Sequence, residues 1–319
     1  MARLVVTDST FPQLLHEQEV ARKHGLAFET HQCKTTAQVI QATQGAQAVL
    51  VQFAPFGADV IRGLAPGATI VRYGVGYDNV DVKFAVAQGH RVCYVPDYCI
   101  EEVADHTCAL MLAGLRKLSQ LDASVRAGDW KAVSVCRPLK PFDSTIVGFV
   151  GVGRIGRAVS ARLKAFGFQF IVADPMLGKD DAAAMGVRLV ALEELLAVAD
   201  VISLHVPSTS ATRGMINAGS LAKMRAGALI VNCSRGDLID EPALASALQS
   251  GRLSAALDVF REEPLPAASS LRSSPNLLLT PHAAWYSERA IDRLQQLACD
   301  EIDRGMTGQT PRCPVPVSA

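Results

Sequence analysis

Ten short apolar runs, most rich in β-branched residues, recur along the chain with helical patterns between them. They are Leu4–Thr7, Ala48–Gln52, Thr69–Tyr73, Arg91–Val95, Thr145–Val150, Gln169–Ala173, Val201–His205, Ala228–Asn232, Ser254–Val259 and Asn276–Thr280. A strand with one wet face would alternate apolar and polar residues, so runs apolar on both faces suit parallel strands covered by helices on both sides. Strand–helix alternation implies βαβ units wound into open sheets. Ten strands are many for one such sheet, and 319 residues are about two typical domain lengths. The expected fold class is therefore α/β, with two doubly wound parallel-sheet domains.

Composition removes several other classes. Hydrophobic residues make up 49% of the chain and charged residues 19%, with 31 basic against 31 acidic side chains. That is too apolar and too neutral for a disordered chain. No basic excess points to nucleic acid or to an acidic membrane surface. No apolar stretch reaches the ~18 residues of a membrane span, and the start, MARLVVTDST, reads as a first strand rather than a signal peptide. None of the eight cysteines forms a CxxC pair, so no metal site is expected. Reduced thiols and a cytoplasmic location are expected instead.

Pro96-Asp97 breaks the chain near its first third, and a long helical pattern then begins around Ile100–Glu102. Its apolar positions run from Val103 through Leu112 to Leu121, which predicts one long helix. Cys136–Asp143 (CRPLKPFD) reads as a proline-containing loop, and Pro311–Ala319, with three prolines, as an extended tail.

Thr145–Val150 runs directly into Gly151-Val152-Gly153-Arg154-Ile155-Gly156, followed by a helical pattern in Arg157–Phe166. A GxGxxG set between a strand and a helix is a dinucleotide-binding signature. Gly151 permits the tight turn, Gly153 lets backbone approach a diphosphate, and Gly156 lets helix and strand pack closely. Arg154 and Ile155 open the helix, whose unpaired N–H groups and positive dipole end face the phosphates. Asp174 ends the next strand, about where an acidic residue accepts hydrogen bonds from a ribose 2′-OH. It would repel a 2′-phosphate, and no Arg follows it, so NAD is favoured over NADP.

Three further segments lie at predicted strand ends, where ligands of open α/β sheets bind. They are Asn232–Gly236 (NCSRG), Leu257–Pro264 (LDVFREEP) and Thr280–Tyr286 (TPHAAWY). Each supplies one ionisable group suited to reducing a 2-oxo acid. His282 can give a proton to the carbonyl oxygen, since histidine ordinarily titrates near neutrality. Glu263 would hold the ring and complement its charge. Arg235 could hold the substrate carboxylate bidentately and polarise the carbonyl.

With these residues in place, nearly the whole chain, most clearly Val71–Ser287, resembles the D-isomer-specific 2-hydroxyacid dehydrogenase family. The string TPHAAWYSE (280–288) resembles most closely the C-terminal-binding-protein branch and its bacterial relatives. The resemblance implies that Arg235, Glu263 and His282 are the catalytic residues. Glu263 is preferred over Glu262 because it immediately precedes Pro264, although the Gly251–Ala256 turn is one residue shorter than in the close branch. The resemblance also implies a Rossmann NAD domain (99–283) inserted into a flavodoxin-like substrate domain built from 1–98 and 284–319. The Val75 and Gly76 amides and Arg72 would contact the substrate, and Trp285 its tail. Thr107, His205, Pro207, Thr212, Cys233 and Asp258 would line the cofactor. The function implied is hydride transfer between NAD(H) and C2 of a small, D-configured 2-hydroxy acid or its 2-oxo partner. A homodimer is implied, with the Glu101–Ala127 region as a candidate interface. The alternative from another class is an NAD(H)-sensing, corepressor-like binding protein with little turnover.

Overall fold

A computed structural model describes residues 2–316. The chain divides into two compact units. The first comprises residues up to Cys99 together with those from Ser287 onward, and the second is Ile100–Tyr286.

The first unit holds β1 (Arg3–Val6), β2 (Ala27–Thr30), β3 (Ala48–Val51), β4 (Thr69–Arg72) and β5 (Arg91–Tyr94). All pair in parallel in the order β2-β1-β3-β4-β5. Its core gathers Val5, Val49, Val51, Phe56, Ile61 and Ile70. The 19-residue helix Glu288–Met306 packs against β4 and β5. Gly305 permits the close approach, since a Cβ there would lie 2.1 Å from Thr69 Oγ1. The residues expected as an extended tail instead pair beside β5. Tyr94 N–H donates to the Cys313 carbonyl (3.1 Å) and Val315 N–H to that of Val92 (2.9 Å). Residues 317–319 lie outside the described part.

The second unit holds β6 (Ile146–Val150), β7 (Gln169–Ala173), β8 (Arg188–Leu189), β9 (Val201–Leu204), β10 (Leu229–Asn232), β11 (Ser254–Leu257) and β12 (Leu277–Leu279). Their order is β12-β11-β10-β9-β6-β7-β8, again all parallel. All residues of β9 and β10 are buried, as the doubly apolar runs require.

Two differences from the sequence reading have physical causes. The edge strands β2 and β8 lie outside the ten runs, unlike the other two edges, β5 and β12, whose sequences are more apolar. AFET (27–30) has no fully buried residue, and β8 has only two residues, so neither carries the apolar run that marks a buried strand. The single long helix is two helices, Ile100–Leu115 and Leu118–Arg126. Lys117 adopts a left-handed conformation (φ 52°) between them and ends the first helix. The second helix buries none of its residues, so the apolar spacing there does not mark a core of this chain. Among the described residues no helix is long and apolar enough to cross a membrane.

Candidate active site

In the second sheet β6 lies between β7 and β9, so successive crossovers leave it in opposite directions. The carboxyl end of such a switch point is where an open α/β sheet leaves a crevice. The glycine turn leaves β6 there. Gly151 has φ 83°, and a Cβ on it would sit 2.8 Å from the His205 carbonyl oxygen, beyond the end of neighbouring β9. A Cβ on Gly156 would come within 2.9 Å of the Gly151 oxygen. Both glycines are thus required by the protein's own packing. Gly153 is different: apart from its chain neighbours, no described residue comes within 4 Å of its missing Cβ. It caps the helix Arg154–Leu163 with no side-chain hydrogen bond, so the first amides of that helix are not capped by it. An exposed, side-chain-free surface at a helix N-terminus fits a diphosphate.

Asp174 is tied into this turn. Its Oδ2 accepts from Val152 N–H (2.9 Å) and its Oδ1 from Met176 N–H (2.8 Å). His205 Nε2 lies 2.8 Å from Ser203 Oγ, and burial pulls the imidazole down to about 4, so it is neutral at physiological pH. Pro207 and Thr212 close one turn, with Thr212 Oγ1 donating to the Pro207 carbonyl (2.6 Å). Thr107 is wholly buried, and its hydroxyl donates to the Val103 carbonyl (2.7 Å). Burial pushes the Cys233 thiol up to about 12, so it is a neutral wall group and not a nucleophile.

The neighbouring strand ends build a second cluster. Buried Asn232 accepts from Ser234 N–H (3.0 Å) and donates to the Arg235 carbonyl (2.8 Å), while Ser234 Oγ donates to the Leu204 carbonyl (2.6 Å). These bonds pin the Cys233–Arg235 turn to the ends of β9 and β10. Arg235 Nη1 donates to the Ser234 carbonyl (2.6 Å). At Gly236 a Cβ would fall 1.9 Å from the Phe260 carbonyl carbon, so only glycine lets residues 235–236 lie against 260–261. From that segment Glu263 Oε1 accepts the Phe260 N–H (2.9 Å), and its Oε2 lies 2.6 Å from His282 Nδ1. Glu263, not Glu262, therefore holds the ring. His282 sits in the left-handed region (φ 53°), with its N–H donating to the Asp258 carbonyl (2.7 Å). Asp258, expected at the cofactor, is fully buried and uses its carboxylate to hold this loop. It accepts from Ala283 N–H (2.8 Å), Ala284 N–H (2.9 Å) and Thr280 Oγ1 (2.5 Å). Trp285 is half-buried and meets Tyr286 edge-on at 5.9 Å.

The sequence reading missed His106, whose Nε2 lies 3.1 Å from Thr280 Oγ1. The only signal was its place in EEVADHT, one residue before Thr107, and a histidine on a helix carries no spacing cue by itself.

Within the first unit, Arg72 ends β4 and folds over Gly74, where a Cβ would lie 1.8 Å from its Nη1. Its guanidinium carbon lies 5.9 Å from the Phe53 ring centroid. Asp8 holds the Phe53 turn through the amides of Gln52 (3.1 Å), Phe53 (2.6 Å) and Ala54 (3.1 Å). Tyr73 donates to wholly buried Glu17 (2.6 Å), which fixes the strand end leading to half-buried Val75 and Gly76.

Comparison with known proteins accords with this geometry. A model described as the D-isomer specific 2-hydroxyacid dehydrogenase, NAD binding domain, matches residues 108–284. A D-3-phosphoglycerate dehydrogenase of Mycobacterium leprae is 41% identical over 273 residues, which is 85% of this chain and 51% of that protein. The chain thus spans about half the length of that relative. A glyoxylate reductase of Korarchaeum cryptofilum is 36% identical over 260 residues, covering 81% of this chain and 78% of that one. The crystal structure of the TT0316 protein from Thermus thermophilus superposes with a TM-score of 0.87 at 33% identity, covering 98% of this chain and all of that one. The chain belongs to the D-isomer-specific 2-hydroxyacid dehydrogenase family, and its second unit carries that family's NAD-binding domain.

Proposed function

We propose that the chain is an NAD-dependent oxidoreductase that interconverts a small 2-oxo acid and its D-2-hydroxy acid. The observation that carries this reading is the Glu263–His282 pair, held at 2.6 Å at the strand end next to the Arg235 turn. When bound, the nicotinamide supplies or takes the hydride at C2. Arg235 holds the substrate carboxylate and draws charge toward the carbonyl oxygen as it becomes negative. His282 Nδ1 faces Glu263, so the proton passes to and from the substrate oxygen at Nε2. Glu263 orients the ring and complements the imidazolium. Arg72 and the amides of Val75 and Gly76 are proposed as further carboxylate contacts, and Trp285 as the residue that meets the substrate tail. An aromatic there favours apolar or thioether tails over phosphorylated ones.

Gly151, Gly153, Gly156 and the amides at Arg154 and Ile155 are proposed to seat the diphosphate, with Asp174 selecting NAD over NADP by repelling a 2′-phosphate. Thr107, His205, Pro207, Thr212 and Cys233 are proposed to wall the nicotinamide half. The corepressor-like alternative is not favoured, because the relatives are named as a dehydrogenase and a reductase. A homodimer is proposed through the segment around the Leu118–Arg126 helix, where Leu118, Val125, Trp130 (88% exposed) and Val133 present apolar surface. A reducing, cytoplasmic setting suits the eight unbridged thiols.

An NADH-oxidation screen over 2-oxo acids with polar, apolar and phosphorylated tails, with NADPH in parallel, tests the reading. NADH-dependent reduction of at least one non-phosphorylated acid is expected. His282→Ala is expected to lower its kcat by about 10²–10⁴ while NADH still binds. Unchanged turnover in that variant removes His282 from the chemistry, and faster rates with NADPH overturn the role of Asp174.

A further inference from the structure

We propose that His106 is a positioning residue for His282, acting through Thr280 and Asp258; this rests on the reading of His282 as the proton-transferring group. The four residues come from three elements of the second unit. His106 lies on the Ile100–Leu115 helix, Asp258 follows β11, and Thr280 and His282 follow β12.

The direction of each hydrogen bond follows from valence. Asp258 faces five partners or near neighbours: the amides of Ala283 and Ala284, the Thr280 hydroxyl, the His106 ring and the neutral Cys233 thiol. A threonine hydroxyl has one hydrogen. At 2.5 Å from Asp258 Oδ1 that hydrogen points to the carboxylate, so Thr280 Oγ1 can only accept from His106. His106 therefore carries its proton on Nε2, 3.1 Å from Thr280 and 3.6 Å from Asp258 Oδ1. The chain of donation runs from His106 to Thr280 to Asp258, and Asp258 in turn holds the two amides that follow His282.

Why His282 requires such support is visible in its backbone. It is one of three non-glycine residues with positive φ among those described, and its N–H donates to the Asp258 carbonyl (2.7 Å). A left-handed histidine is held only where its surroundings over-determine it. Here one residue, Asp258, grips the loop on both sides: its carbonyl takes the N–H of residue 282 and its carboxylate takes those of 283 and 284. Rotation of that carboxylate would move His282 against Glu263. The carboxylate is wholly buried, and the His106 ring nitrogen lies 3.6 Å from its Oδ1. His106 thus sets the rotamer of the side chain that aims the catalytic ring, through its contacts with Thr280 and Asp258.

The test compares the parent full-length protein with His106→Ala, His106→Gln, Thr280→Val and the His106→Ala/Thr280→Val pair. The first readout is the NMR signal of the His282 Nδ1–H proton on Glu263, assigned by its loss in Glu263→Gln. It is expected to shift or broaden in His106→Ala and in Thr280→Val, and to return in His106→Gln, whose amide can donate to Thr280. The second readout is steady-state kinetics. His106→Ala is expected to lower kcat about five- to twentyfold, alter the pH profile of kcat, and leave NADH affinity within about twofold. The double variant is expected to lose no more than the worse single one, since both act on one chain of bonds. An unmoved His282 signal, or fully additive losses, overturns the proposal. A parent that turns over no 2-oxo acid overturns the enzymatic reading instead, and the NMR arm still decides the positioning role. Should His106→Ala not fold, Thr280→Val and His106→Gln carry the same comparison.

Discussion

Two corners of the same sheet edge are built by opposite means. At β6 the chain makes the surface proposed for the diphosphate by leaving side chains out, so that Gly153 faces open space and Gly151 and Gly156 admit neighbouring backbone. At β10–β12 it makes the surface proposed for the chemistry by bringing in charged side chains that are distant in sequence, locked through Asn232, Gly236 and Asp258. The first corner is contiguous and mostly backbone. The second is assembled by the fold and depends on buried polar groups that must all be paired. Damage to the two should therefore read out differently, as lost cofactor affinity in one and lost turnover in the other.

The largest effect is expected for Asp258→Ala. Removing this carboxylate leaves the amides of Ala283 and Ala284 and the Thr280 hydroxyl without their acceptor. Each buried orphaned donor costs about 1–3 kcal/mol, so a loss of about 3–5 kcal/mol in urea unfolding is expected, with kcat down by at least about a hundredfold. NADH affinity, measured by fluorescence titration at a temperature where the variant is folded, should change by only a few-fold. An equal collapse of NADH binding would show that the two corners are one cooperative structure.

Gly153→Ala is the complementary cut, and its effect is smaller. Because, apart from its own residue and chain neighbours, no described atom lies within 4 Å of the new methyl group, the variant should unfold at the parent's urea midpoint. The methyl group would occupy the surface proposed for diphosphate, and NADH affinity should fall about tenfold or more, which is about 1.4 kcal/mol. Gly151→Ala should differ in kind: at φ 83° and 2.8 Å from the His205 oxygen it strains the folded chain itself. If Gly153→Ala binds NADH like the parent, the diphosphate lies elsewhere.

The same contrast explains what was legible in the sequence. The glycine turn could be read because strand, turn and helix adjoin, and each glycine answers a local backbone demand. Ten of the strands could be read because each carries an apolar run of the kind that parallel strands between helix layers require, even the partly buried edge strand Leu277–Leu279. The edge strand Ala27–Thr30 left no such mark, since only two of its four residues, Ala27 and Phe28, are apolar. The break at Lys117 was hidden because the apolar spacing continues across it, although the residues beyond it are exposed. Arg235, Glu263 and His282 could be nominated by chemistry, but nothing in their spacing says that Gly236 must lie on the Phe260 backbone. Asp258 and His106 show the limit most clearly. Their roles arise from hydrogen bonds across three elements, and such bonds leave no periodic trace in a linear string.

The smallest effect concerns the imidazole behind the glycine turn. His205 is held neutral by burial, at about 4 against an ordinary value near 6.5. Between those values the unfolded chain takes up a proton that the folded chain refuses, so this residue makes stability fall as pH drops from about 6.5 toward 4, and adds no slope above that window. The slope from one such group is at most about 1.4 kcal/mol per pH unit. His205→Gln removes it. The variant also loses the ring contact with Phe149 (5.7 Å between centroids), but that loss is the same at every pH and cancels when slopes are compared. Urea midpoints at pH 7 and pH 5 should therefore fall less steeply in His205→Gln than in the parent. Equal slopes would mean that the imidazole titrates normally, so that the wall of the cradle is wet where its glycines place it against packed backbone.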